Sequence, residues 1–374
     1  MVVGRLSNDR PQSAVCVHFA WLELLSEVRP LCDVPWRTFS CATQLTCYGH
    51  CQCRFLLGAF GVDDRNEGGP GAYGAGRARS VTTDQQWDIV TSVGLTALGV
   101  AAARALETHR DDRLIADPYA APLVKAADAQ VPMPTSPEEV AQLPEDSIWG
   151  QAQMEDYMGV RSRYFDEFFT AAGEAGIRQA VVLASGLDAR PHRLDWASGT
   201  TVFEIDQPKV LEFKQTVLDG LDATPKCEHR PVGIDLRDDW SSALLAAGFD
   251  VEKPTAWLAE GLLPYLPPEA EQQLLMTIDK LSASGSRLAV EDFKNVSALF
   301  DDERMAEAGK EWGLDMRELL HSDDRPEAPG VLRGFGWNTE VEGAEEKAAR
   351  YGRDLSGTFV QMADTSRFVE AHKG

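Results

Sequence analysis

The stretch QAVVLASGLDARPHRLDWASGTTVFEID, residues 179–206, decides the fold. Gln179–Ser185 is an apolar run with adjacent valines, too short for a helix and long enough for a buried strand. Gly186 ends it, where a chain turns tightly or lets a ligand approach its backbone. Leu187–Trp196 has room for about two to three helical turns. Thr200–Ile205 is a second apolar run, closed by Asp206. Asp206 follows Gly186 by 20 residues. That is close to the roughly 20 by which a ribose-binding acid follows the glycine turn in nucleotide-binding βαβ units. The stretch therefore predicts a strand–turn–helix–strand unit for a ligand that carries a ribose.

Downstream, the same alternation continues. Pro208 opens a helix to about Leu218, and Glu228–Ile234 is a third strand ending at Asp235-Leu236. Asp239–Ala247 reads as a helix, Thr255–Ala259 as a fourth strand with Glu260-Gly261 after it, and Pro267–Ser282 as a helix. Arg287–Val290 is a fifth strand, followed by a long acidic helical region. Trp337–Val341, a helix through Tyr351 and a last strand near Phe368 complete the pattern. Alternating strands and helices call for a mostly parallel, doubly wound sheet covered on both faces, with one antiparallel member at its edge.

Upstream lies a helical layer. Asp84 can cap a helix running DQQWDIVTSVGLTALGVAAARALET. Asp117-Pro118 breaks it before PYAAPLVKAAD, Pro132–Pro144 is a polar connection, and Gln151–Ala175 is again helical. The expected organisation is a helical cap over 79–176 and a Rossmann-like core over 177–374.

Residues 1–78 have another texture. Six of the seven cysteines lie in the first 53 residues, and Met1–Gly76 holds six Arg, no Lys and seven acids. It shows no sustained apolar period and leaves through GGPGAYGAG. Cys47, Cys51 and Cys53 with His50 lack the second matching pair that a structural zinc site needs. A secretory signal is a weaker reading still, since Ala14–Leu25 contains His18 and Glu23 and no clean cleavage site follows. A poorly ordered, dispensable extension is the expectation, since such a segment buries too little surface to offset its ordering entropy. A start codon near Val81 is its simplest source, because a bacterial GTG start also reads as valine inside a longer frame.

Charge sets the partners. With a net charge of −23 over 374 residues, neither nucleic acid nor an anionic membrane surface is expected as a partner. No apolar run approaches the roughly 18 residues that a spanning helix requires. A cytoplasmic enzyme with a small-molecule substrate is the expectation.

In an open parallel sheet, ligands bind beyond the carboxyl ends of the strands. Four successive strands here end at Gly186, Asp206, Asp235 and Glu260. Taken singly, each acid is more simply a helix cap or solvated turn; their shared edge is what makes them candidates. Asp206 can accept from both ribose hydroxyls, and Asp235 with the backbone of Leu236 can meet the amine edge of a base. The dinucleotide fingerprint G-x-G-x-x-G is missing, since Gly186 is followed by Leu187, Asp188 and Ala189. A nicotinamide-dependent oxidoreductase is thereby disfavoured. S-Adenosyl-L-methionine has a ribose without a pyrophosphate, and its carboxylate requires a cation. Arg161 and Arg163, just before the first strand, are the available guanidinium groups.

GLDARPHRLDW, FEIDQPKVLEFK, GIDLRDDW and AEGLLPYL, in this order, resemble the leucine carboxyl methyltransferase superfamily, in particular its bacterial branch of S-adenosylmethionine-dependent O-methyltransferases. The resemblance covers the chain from about Ser80 onward. It implies the seven-stranded class I methyltransferase fold with added helices. It also implies cofactor contacts at Arg161 (carboxylate), Gly186 (turn under the methionine part), Asp206 (ribose), Asp235 and Leu236 (adenine), and Glu260 (near the methionine end). Arg161-Ser162 replaces the branch's usual Arg-Thr, and His192 stands where it usually has an aromatic. No metal is implied.

The implied reaction is an in-line displacement at a sulfonium methyl, for which positioning in a water-poor pocket is the main requirement. A carboxylate acceptor needs no base and a hydroxyl acceptor does. Tyr265, His192 and Glu260 are the candidates for that role. Trp87, Tyr157, Tyr164 and Phe165 are candidates for an acceptor pocket, although aromatics at helical spacing usually form plain core. A non-catalytic cofactor-binding protein is the remaining alternative.

Overall fold

A computed structural model describes residues 93–145, 147–151, 154–301, 309–355 and 364–374. The readings made of the cysteine-rich segment, of Trp87 and of the Asp84 cap lie outside these residues.

Seven strands form one sheet: β1 (Gln179–Leu183), β2 (Thr201–Asp206), β3 (Glu228–Gly233), β4 (Thr255–Ala259), β5 (Arg287–Phe293), β6 (Trp337–Gly343) and β7 (Ser366–Lys373). Their order is β3-β2-β1-β4-β5-β7-β6. The first five run parallel, and β7 is antiparallel to both β5 and β6. The antiparallel strand is therefore second from the edge, where the sequence reading put it at the edge. A strand that pairs on both sides hides its backbone, and β7 carries the buried run Phe368, Val369 and Ala371 to match.

All five residues of β1 are buried because both faces of the sheet are covered. Ala180 and Val182 pack toward one apolar cluster with the helices Val93–His109 and Met154–Glu174. Val181 and Leu183 face the other, with Trp257, Leu275 and Ile278. This is the period of two expected of a strand buried on both sides.

The register brings the carboxyl ends level. Leu183 pairs with Ile205 on one side and Ala259 on the other, and Asp206 pairs with Gly233. Strand order reverses between β1 and β4, so the crevice of the doubly wound sheet opens beyond their carboxyl ends.

Two helical expectations change. Leu187–Trp196 contains only the single turn Arg190–Arg193, with Pro191 in that turn and Leu194 already extended. The acidic region after β5 is not one helix: among the described residues, Val296–Asp301 is 3-10, residues 309–312 are helical, and Met316–Leu319 and Ala328–Gly334 are separate short helices.

Candidate active site

Above the carboxyl ends of β1, β2 and β4 lies a cavity of about 570 Å³, a size suited to a small ligand. Its walls include Arg161, Gly186, Asp206, Asp235, Leu236, Glu260 and Tyr265. These residues come from six places in the chain, and the strand ends bring them together.

The floor is the turn after β1. Ala184 and Gly186 both have left-handed backbone, with φ of 48° and 50°. For Ala184 that conformation is strained, a condition often found where a chain bends around a ligand. The turn is tied to β2 by Asp206, whose Oδ2 accepts from the Gly186 N–H at 2.7 Å and whose Oδ1 accepts from the Gln207 N–H at 2.6 Å. From behind, the buried Lys214 ammonium donates to Ser185 Oγ at 3.2 Å, Asp188 O at 3.0 Å and Glu204 Oε1 at 2.9 Å. Burial raises the Asp206 carboxyl above its ordinary value, partly offset by the two backbone donors.

At one side Glu260, the residue after β4, holds two guanidinium groups. Its Oε1 accepts from Arg161 Nε at 2.8 Å, and its Oε2 accepts from Arg190 Nη1 at 2.7 Å. Burial pushes the Glu260 carboxyl up, but Arg190 and Arg161 outweigh it and hold it below the usual glutamate range. Arg190 also reaches Asp166, Asp188 and the Ser162 carbonyl. Asp188, similarly buried, is held at about 2 by Arg190 and Arg193. On the opposite rim, Asp235 accepts from the Arg237 N–H at 2.9 Å and pairs with its side chain, which draws the carboxyl below its ordinary value.

The roof comes from Val93–His109, where Thr96, Ala97, Val100 and Arg104 share one helical face toward the cavity. Leu262, Leu266 and Leu319 complete the apolar wall. The Tyr265 hydroxyl donates to Thr96 Oγ1 at 3.3 Å, and burial raises the phenol.

Several sequence candidates stand elsewhere. His192 is buried outside the cavity, its ring edge-on to Tyr119 and His229, and neither ring nitrogen has a hydrogen-bond partner. Its short helix turns it to the far side of the Gly186 turn, so it is no catalytic candidate. Tyr164 stacks on Phe368 with ring centroids 4.7 Å apart, Phe165 is core, and Tyr157 bonds Glu291; none of them lines the cavity. Arg163 is half-buried and pairs with Glu167, whereas Arg161 lines the cavity. Sequence reasoning missed Arg104, Arg190, Lys214 and Glu291. For Arg190 a signal was present, since an arginine two residues after Asp188 falls within the GLDARPHRLDW motif.

Residues 97–279 match the family model described as leucine carboxyl methyltransferase. Over 293 residues the chain is 50% identical to a protein of Saccharopolyspora erythraea, covering 78% of this chain and 100% of that one. The chain belongs to this methyltransferase family. A protein of Rhodococcus jostii is 48% identical over 299 residues, covering 78% of this chain and 99% of its own. Both relatives carry the name "Putative S-adenosyl-L-methionine-dependent methyltransferase". A crystal structure of a DUF574 family protein from Streptomyces avermitilis is similar with a TM-score of 0.47 at 17% identity, covering 75% of this chain and 97% of that one. This leucine carboxyl methyltransferase family member is an S-adenosyl-L-methionine-dependent methyltransferase, and among its described residues no helix is long and apolar enough to cross a membrane.

Proposed function

We propose that the enzyme methylates an oxygen of a small, apolar molecule, and that this oxygen belongs to a carboxylate. The cofactor supplies a methyl group on a sulfonium, and the chain's residues bind, orient and exclude water. The donor set fits such a cofactor. Asp206 already has a backbone N–H on each oxygen, and an ionised carboxylate retains further acceptor positions for two ribose hydroxyls. Asp235 and Leu236 stand at the next strand end for the adenine edge. Arg161 is the guanidinium for the methionine carboxylate: Nη2 makes no hydrogen bond among the described residues, whereas Nε and Nη1 are held by glutamates. Glu260 is assigned to the methionine end through Arg161, which it holds at 2.8 Å.

One observation favours a carboxylate acceptor over a hydroxyl: among the described residues, none of the three candidate bases is suited to remove a proton. Burial keeps the Tyr265 phenol protonated, Glu260 is occupied by Arg161 and Arg190, and His192 is outside the cavity. A carboxylate is ionised at neutral pH and attacks without a base. The wall of Ala97, Val100, Leu262, Leu266 and Leu319 suits an aliphatic or aromatic body. The test is methyl transfer from labelled cofactor to matched pairs of acids and alcohols with the same carbon skeleton. Base-labile methyl esters from the acids are expected, and transfer to the alcohols alone overturns the reading.

A further inference from the structure

Behind Arg161 lies a buried acid that takes no part in the cavity wall. Glu291, near the end of β5, is fully buried, and each of its oxygens has a distinct set of donors. Oε1 accepts from the Tyr157 hydroxyl at 2.6 Å and from Arg161 Nη1 at 3.3 Å. Oε2 accepts from Arg161 Nη1 at 3.2 Å and from the Gly261 N–H at 2.7 Å. The Tyr157 hydroxyl also lies 2.6 Å from Ser366 Oγ on β7. A carboxylate removed from water is costly unless its charge and lone pairs are matched, and here they are.

The arrangement has a directional consequence. Arg161, which lines the cavity, is gripped on Nε by Glu260 and on Nη1 by Glu291, which fixes the plane of the guanidinium and leaves Nη2 without a hydrogen bond among the described residues. Glu291 simultaneously fixes Gly261, which has left-handed backbone with φ of 60° and lies beside Nη1 and Nη2. Two elements on one side of the cavity are therefore aligned by one buried carboxylate. A planar fork confers selectivity for a carboxylate only when its orientation is set.

We propose that Glu291, itself oriented by Tyr157, is a positioning residue that aims Arg161 at the carboxylate of the cofactor. This rests on the assignment of Arg161 made above. Glu291→Gln is close to isosteric: the amide oxygen can keep the Gly261 N–H, and the amide nitrogen can donate to the Tyr157 hydroxyl. What it removes is the carboxylate's negative charge facing Nη1. Tyr157→Phe leaves that charge and removes only the phenol bond.

The experiment is calorimetric titration of the full chain and its variants with S-adenosylmethionine and with methylthioadenosine, which has the same nucleoside but no carboxylate. Glu291→Gln is expected to weaken S-adenosylmethionine about tenfold, the worth of one charge-assisted bond, with methylthioadenosine unchanged. Tyr157→Phe is expected to produce the same selectivity at about threefold. Arg161→Ala, run in parallel, tests the underlying assignment and is expected to show the largest selective loss. If Arg161→Ala is selective while Glu291→Gln binds both ligands like the parent, or loses both equally, the positioning role is overturned. Should Glu291→Gln fail to fold, Tyr157→Phe decides, and unchanged or equal affinities overturn the role. If Arg161→Ala itself loses both ligands equally, the Arg161 assignment falls and this inference with it.

Discussion

Replacing Asp206 by alanine tests the cofactor site most directly. Its carboxylate spends one acceptor position per oxygen on the N–H groups of Gly186 and Gln207, at 2.7 and 2.6 Å. An ionised carboxylate has about four such positions, so two remain for the ribose hydroxyls. Hydrogen bonds to a charged group are worth about 1.5–3 kcal/mol each, and two at the lower end give about 3 kcal/mol. That corresponds to a loss of roughly 150-fold in affinity. The substitution also leaves two backbone N–H groups unpaired, so folding must be checked by thermal denaturation and binding measured well below the midpoint. A ligand-side control separates local damage from lost ribose contacts. The 2′,3′-dideoxy form of S-adenosylhomocysteine should bind the parent about as weakly as the intact ligand binds Asp206→Ala, and the variant should barely distinguish the two. Parent-like affinity in the variant refutes the ribose assignment, as does a variant that discriminates the two ligands as well as the parent does.

Other outcomes follow from geometry away from the cofactor. His192→Phe should retain activity and raise stability by about 1 kcal/mol in urea unfolding, because two unpaired ring nitrogens leave the interior; loss of activity would restore His192 as a candidate. Gly99→Ala places a Cβ 2.7 Å from Trp312 Cη2 and should cost about 1–3 kcal/mol in the same measurement; an unchanged midpoint would show that Trp312 yields freely. Asp188 is held at about 2, below its unfolded value, so its stabilisation is present above roughly pH 4 and is lost as pH falls toward 2. Asp188→Asn should therefore be less stable than the parent by roughly 2 kcal/mol at neutral pH, with the gap closing on acidification; a gap independent of pH contradicts the ion-pair account. Arg163→Ala should leave both cofactor and methylthioadenosine affinities unchanged, since Arg163 bonds Glu167 at the surface.

Most of the parallel core was legible because β1, β2, β4 and β5 are short apolar runs and acids close β2 and follow β3 and β4, and the spacing from Gly186 to Asp206 carried the cofactor hypothesis. Strand order and the place of β7 were not legible. Whether the chain's later strand pairs inside or at the rim depends on which edge of β5 is left open, and no local pattern encodes that. Nor does a sequence reveal partners across long separations. Tyr157 and Glu291 are 134 residues apart, and Tyr157 and Ser366 are 209 apart. Tyr157 looked like one more aromatic in an amphipathic helix until its hydroxyl found a carboxylate. His192 illustrates the converse, because a polar residue close to the glycine turn in sequence points to the opposite side in space. The helix after Gly186 was overestimated because apolar spacing is blind to Asp188, whose side chain caps the Arg190 N–H at 2.6 Å and draws the chain into a tight turn.

The place of β7 has a consequence for how the molecule is made. Among the described residues, β6 pairs with β7 alone, and β7 joins it to β5. As the chain emerges from the ribosome, β6 therefore has no sheet to join until residues 366–373 have also cleared the exit tunnel. Up to that moment β5 is an open edge, able to template a neighbouring nascent chain. A premature stop just before Ser366 would release a protein lacking one strand from its sequence and two from its sheet. Quality-control proteases would meet such a product as an exposed edge beside a loose β6.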